Sequence, residues 1–273
     1  MKQEKGDSVA VVAYHTAGKD KDKDAFNNSD GNGRASYYGL QYVPTGIFNG
    51  TKWIVGGPSN AYTLYRDTVN QQMTVNTPGK LTLKMRFNPI TRTGQVYAEF
   101  FSVDQITDTN LKLRYAITES HLHYHWQNQD SLQFIERKML PSYTGVSFTV
   151  NQGEAFVDSQ RFSISTSWVD YNCDLVVWIQ SDVSTYLKKV LISNQIPVYR
   201  SHVAGDANGD RVVTISDAVF LANYILNHGP EPIPFTAGDV DGDCEIDMDD
   251  VVYLIGYLFN GFLPPDPGCY IVE

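Results

Sequence analysis

The feature that most constrains this 273-residue chain is an internal repeat near its C-terminal end. Shifted by 33 residues, GDANGDRVVTISDAVFLANYILN lies on GDVDGDCEIDMDDVVYLIGYLFN. The shift lays Gly205 on Gly238, Asp206 on Asp239, Gly209 on Gly242, Asp217 on Asp250, Leu221 on Leu254 and Tyr224 on Tyr257. Each copy is an acidic loop followed by an apolar stretch at helical spacing, so two helices can pack together while both loops face outward. Calcium takes six to eight hard oxygens, which a twelve-residue loop supplies from positions 1, 3, 5, 7, 9 and 12, the seventh through a backbone carbonyl. In the first copy those places fall to Asp206, Asn208, Asp210, Val212 (carbonyl), Thr214 and Asp217. In the second they fall to Asp239, Asp241, Asp243, Glu245 (carbonyl), Asp247 and Asp250. Two Ca2+ ions are therefore expected. Without them the clustered carboxylates repel by on the order of several kcal/mol, so metal binding and folding of this segment should be coupled.

Charge follows the repeat. Val203 to Glu273 holds thirteen acidic residues against one base, Arg211, whereas residues 1–202 hold eighteen acids against twenty bases. The net charge of −10 thus belongs to the C-terminal segment. Such a segment attracts cations and repels phosphate backbones and anionic membranes, so nucleic acid is excluded as a partner class. No apolar run approaches the twenty residues of a membrane span. The three cysteines, Cys173, Cys244 and Cys269, are too few for a disulfide scaffold. Cys244 and Cys269 are either a bonded pair, which implies an oxidising compartment, or two unrelated thiols.

The two loop-helix repeats resemble a dockerin module, a family in which paired calcium loops with Asp at position 12 hold two helices together and often dock onto a cohesin domain. The sequence departs from the family at position 6, usually Gly in a positive-φ turn, here Arg211 and Cys244. A non-Gly residue there costs on the order of 1 kcal/mol. Positions 10 and 11, which help recognise cohesin in the family, are Ile215 and Ser216 in one copy and Met248 and Asp249 in the other. They differ, which argues against a symmetric two-way docking mode. A plain alternative is a calcium knot that only fixes the C-terminus.

The preceding chain divides in two. In residues 1–78, DSVAVVAYH (Asp7 to His15) reads as a buried strand, GRASYYGLQ (Gly33 to Gln41) as a short helix and YVPTGIFNG (Tyr42 to Gly50) as a strand. Ser59 is placed to cap a second helix whose Tyr62, Tyr65, Val69 and Met73 fall at helical spacing. Across residues 79–200 the period drops to two, as in Leu81, Leu83, Met85 and Phe87, or Leu113, Tyr115 and Ile117. About eight short strands without a long helix indicate an antiparallel sandwich of immunoglobulin-like type.

VAVVAYH, YVPTGIFNG, and AITES followed by ERKMLPSYTG (Glu136 to Gly145) resemble the outer-membrane-protein-twenty-eight-related family, secreted or surface proteins that join a thioredoxin-like domain to a β-sandwich. Pro44 looks like the cis-proline of thioredoxin folds. The resemblance implies that the chain starts where the second thioredoxin strand begins, without the first strand or the Cys-x-x-Cys helix. Disulfide exchange needs a reactive thiolate beside a partner thiol, and no cysteine precedes Cys173. The expected fold is thus multidomain α+β: a partial thioredoxin-like α/β domain over 1–78, a sandwich over 79–200 and a two-helix, EF-hand-like dockerin module over 201–273.

His121, His123 and His125 would share one face of a strand, a spacing able to bind zinc or copper. The simpler reading is a polar strand face. Ser hydrolase elbows, HExxH, Walker loops and GxGxxG are absent. The sequons at Asn27 and Asn49 suit a secreted protein. The sequence therefore points to a non-catalytic extracellular interaction or anchoring protein that takes a cohesin-like partner. The alternative is a self-assembling structural subunit of a fibre or surface layer, a homo-oligomer whose incomplete sheet accepts a strand from another copy.

Overall fold

The computed structural model describes residues 5–17, 24–89, 91–126, 129–182, 188–198, 203–210, 212–232, 234–266, 268 and 270–272. By internal contacts the chain forms two compact units: residues 1–83, 98–158 and 174–196, and residues 84–97, 159–173 and 197–273. Strands β3 (Gly79–Asn88), β4 (Thr93–Ser102) and β10 (Ala155–Ser163) each run from one unit into the other.

The period-two region is a pair of sheets. One has the order β10-β4-β3-β13, where β13 is Tyr270–Val272. The other has the order β12-β11-β5-β8, from Val190–Pro197, Cys173–Ser181, Leu111–Glu119 and Ile135–Leu140, with β9 (Val146–Phe148) also on β5. The sheets meet through the alternating residues the sequence exposes. Phe100 sets its edge on Phe148 at 6.4 Å between centroids, and the Tyr115 hydroxyl donates to Asp158 at 2.8 Å.

Strand β5 buries both faces: Arg114, Ala116 and Thr118 are as enclosed as Leu113, Tyr115 and Ile117. The second cover comes from the N-terminal segment, whose Ala10, Val12 and Tyr14 pack on Ala116, Met139, Val176 and Trp178. This segment is not the regular strand its sequence suggests. It is half-buried and joins β8 by a single parallel bridge, Ala13 to Ile135. Alternate side chains anchor it, so an extended path suffices without a hydrogen-bonded ladder.

Helix α1 spans Ser29–Tyr38, four residues earlier at its start than the sequence reading. The Asn28 side chain accepts from Gly31 N–H and so opens it, and Gly39, at φ 64°, closes it. Strands β1 (Thr45–Phe48) and β2 (Lys52–Val55) form a hairpin after the cis Val43–Pro44 bond, and β6 (Leu122–Trp126) and β7 (Gln129–Leu132) form another. Helix α2, Ala61–Met73, starts after Asn60 rather than Ser59, and Asn60 makes no side-chain cap. Its burial is confined to Val69, so packing on the hairpin, not capping, holds it. Within the second unit, α3 (Ile215–Asn227) and α4 (Met248–Asn260) pack together around Ala207, Ala218, Leu221, Val240, Val251 and Leu254.

Candidate metal centre

The two helices begin inside the two acidic loops. Thr214 and Asp247, position 9 of each loop, are the N-caps, and Asp217 and Asp250, position 12, complete capping boxes. One residue thereby serves helix and loop together. Asp217 Oδ1 accepts from the N–H of Asn208 at 3.1 Å and its Oδ2 from Thr214 at 2.9 Å. Asp250 Oδ1 accepts from Val240 at 2.7 Å and its Oδ2 from Asp247 at 2.8 Å. Each loop is therefore drawn closed by a buried carboxylate from its own helix.

Between these ends the side chains expected as ligands stand in successive Asx turns. The N–H of Asp210 donates to Asn208 Oδ1 and that of Val212 to Asp210 Oδ1, both at 2.9 Å. In the second loop the N–H of Asp243 donates to Asp241 at 3.2 Å and that of Glu245 to Asp243 at 2.8 Å. Gly209 and Gly242, position 4 of each loop, take φ 78° and 80°, which only glycine adopts freely. Position 6 of the second loop, Cys244, adopts φ 77° despite its side chain and is disulfide-bonded. Cys173 is buried and outside any disulfide, its thiol donating to the Val169 carbonyl at 3.4 Å. Arg211 and the expected partner Cys269 lie outside the described residues.

These residues fit a calcium ion. Carboxylate oxygens of Asp239, Asp241 and Asp243 lie within 4.8 Å of one another. Two oxygens that share an ion at about 2.4 Å can be at most about 4.8 Å apart. Burial pushes the Asp250 carboxyl up to about 7, with Asp241 and Asp239 adding repulsion against the backbone donors of Asp247 and Val240. Asp241 is raised as well, first by desolvation and then by Asp243, Asp247 and Asp249. The ion-free loop thus stores unfavourable charge that a cation would relieve. Asp206 is buried at the first position of the other loop, while Asn208 and Thr214 supply neutral oxygens there.

Residues 204–259 match the dockerin type I domain. The chain carries a dockerin domain. Dockerins bind calcium and dock onto cohesin domains, so this part of the molecule is a calcium-dependent protein-binding element. Among solved structures, the chain is similar to HBP35 of Porphyromonas gingivalis, at 11% identity and a TM-score of 0.42 over 55% of this chain and 52% of that one. It is also similar to a domain of the outer membrane lipoprotein Omp28 from the same organism, at 12% identity and a TM-score of 0.33 over 46% of this chain and 99% of that one. The chain thus spans about half the length of the HBP35 structure. No curated protein matches it.

The histidine reading does not assemble. His121 precedes β6 with φ 55°, out of the strand, and His125 is exposed and bound to Asp130 at 2.8 Å. Among the described residues the one group of three acidic, histidine or cysteine side chains close enough to share an ion is Asp239, Asp241 and Asp243. Sequence reasoning overlooked a buried cluster of the first unit, in which Arg34 lies 4.4 Å from the Tyr37 ring centre and 4.8 Å from that of Tyr38. Its guanidinium also donates to Gln180 at 2.9 Å. Nothing in the local pattern around Arg34 marks it as interior. No helix among the described residues is long and apolar enough to cross a membrane.

Proposed function

We propose that this is a non-catalytic, extracellular interaction protein whose segment 201–273 docks onto a cohesin-like partner once two Ca2+ ions fill the loops. The ligands are Asp206, Asn208, Asp210, the Val212 carbonyl, Thr214 and Asp217 for one ion. For the other they are Asp239, Asp241, Asp243, the Glu245 carbonyl, Asp247 and Asp250. Filling the loops sets the two helices, and the docking surface is what the helices leave outside.

The observation that carries this reading is a matched pair of exposed apolar stripes. Ile215, Val219 and Leu226 are exposed along α3, and Met248, Val252, Ile255 and Phe259 along α4. The first three recur in α4 at the 33-residue shift, as Met248, Val252 and Phe259. None belongs to the buried core shared by the helices. A water-facing stripe of this size marks a binding surface. Ile255 and Phe259 replace the smaller Ala222 and Leu226, which favours α4 as the principal face. Neither helix carries a basic residue, so the partner's face should be apolar with a neutral or basic rim.

Calorimetric titration of the calcium-stripped full chain, followed by titration with a purified type I cohesin domain, tests the reading. Uptake of two ions is expected, then a complex that chelator abolishes. Val252→Asp should weaken that complex more than about tenfold, and more than Val219→Asp does. A complex that persists in chelator, or one insensitive to both substitutions, overturns it.

A further inference from the structure

The chain does not end with its second helix. After α4 it turns at Gly261, and Phe262 folds back onto Gly256 and Tyr253, its N–H donating to the Gly256 carbonyl at 3.2 Å. It then crosses the second calcium loop at its first ligand. The Asp266 N–H donates to the Val240 carbonyl at 3.0 Å. Gly268 is buried at φ 64°, where a Cβ would stand 2.6 Å from the carbonyl oxygens of both Asp239 and Thr236. Two residues later β13 pairs antiparallel with β3, Tyr270 opposite Phe87, Ile271 opposite Arg86 and Val272 opposite Met85.

The last strand of the chain is thus the outer strand of the sheet, and its approach path rests on Asp239 and Val240. Both of those residues are held by the second loop: Asp239 is its first ligand, and the Val240 N–H donates to Asp250. An ion there fixes the two residues. Without it, repulsion among Asp239, Asp241 and Asp243 disturbs the carbonyls against which Asp266 and Gly268 pack. An uncovered strand edge presents unpaired N–H and C=O groups that template another strand. The segment already shown to fit it is the C-terminal strand itself, and exchanging an identical element between copies is a low-cost route to dimers.

We propose that the β3 edge at Met85 to Phe87 is a strand-binding site, filled by the chain's own C-terminal strand while the second calcium loop is formed and by that of a second copy when it is not. This rests on calcium occupying the second loop. The test uses the full chain, reading hydrogen exchange of the Lys84 to Asn88 amides together with sedimentation velocity at several concentrations, in calcium and in chelator. In calcium, the β3 amides facing β13 are protected and the chain is monomeric. Chelator speeds their exchange more than about tenfold and produces concentration-dependent dimers.

Gly268→Val replaces none of the calcium ligands. It should open the edge and give dimers even in calcium, while calorimetry still counts two ions. A chain ending at Pro267 should show the open edge without the dimers, which separates strand exchange from unspecific association of an unfolded segment. Unchanged β3 exchange in both chelator and Gly268→Val, or dimers that survive loss of residues 268–273, overturns the proposal. Failure of calcium uptake in the titration would instead sink the proposed function, and Gly268→Val would still decide whether the edge is a strand site.

Discussion

The β-sandwich neutralises its buried charge with its own side chains, whereas the C-terminal dockerin region buries four aspartates with a single base in its sequence. In the sandwich, Arg114 faces Asp182 at 2.8 Å and Arg137 faces Glu119 at 3.3 Å. In the dockerin region, Asp206, Asp217, Asp239 and Asp250 are all buried, and Arg211 is the sole base between Val203 and Glu273. Backbone N–H groups share the load on Asp217 and Asp250, but they leave net negative charge in place. One part should therefore fold by itself, and the other should fold with calcium.

The widest gap between the parts should open on chelation. The tryptophans, Trp53, Trp126, Trp168 and Trp178, all precede the dockerin region, so their emission reports on the rest of the chain. Excess chelator should abolish the helical circular dichroism of α3 and α4 and leave tryptophan emission nearly unchanged. At calcium a thousandfold above Kd the ion contributes about 4 kcal/mol. Parallel loss of both signals would break the contrast.

A second, smaller effect probes the self-neutralised side. Arg114→Ala strands Asp182 and removes a donor to Gln180, at a cost of about 3 kcal/mol. Urea unfolding followed by tryptophan emission should show that loss equally with calcium and with chelator. A loss that depends on calcium would mean the two parts share their electrostatics.

The smallest effect comes from the exception within the first unit. Among the described residues Glu136 is buried without an ion pair of its own, its Oε2 accepting from Asn28 at 3.0 Å and its Oε1 without a hydrogen bond. Burial raises its carboxyl to about 7, with Asp30 adding to the shift. A carboxyl raised on folding favours the native state while protonated, so the benefit is complete below about 4.5 and fades as pH rises through about 7. In calcium, the melting temperature read by tryptophan emission should fall by about 4 °C between pH 5 and pH 8. Glu136→Gln should flatten that slope. A wild-type protein whose melting temperature rises over the same interval would contradict the assignment.

How much of this was legible beforehand varies with how local each cause is. The loops, their position-12 aspartates and the helices behind them follow from the 33-residue repeat, because a twelve-residue metal loop and its capping box involve only neighbours in sequence. The sandwich strands were legible from period two. The N-terminal segment misled because Val9 to Ala13 has the composition of a strand, whereas the hydrogen bonding of a strand depends on a partner in register, and here an isolated bridge at Ala13 stands in place of a ladder. The zinc or copper alternative for the histidines turned on a similar condition: an even spacing shares a face only if the backbone stays extended, and His121 at φ 55° leaves the strand.

The sequence by itself determined the chemistry of this protein: two oxygen-rich loops, an acidic C-terminal segment and alternating strands are all written in short-range patterns of residue type. Only the tertiary structure decided which surfaces stay available. It buried both faces of β5, enclosed Arg34 among Tyr37, Tyr38 and Gln180, left the stripes of α3 and α4 outside their shared core, and laid Tyr270 to Val272 against Phe87 to Met85. The physical reason is that ligand geometry and capping act over a few residues, while burial and strand pairing join residues as far apart as Met85 and Val272, whose meeting no local pattern encodes.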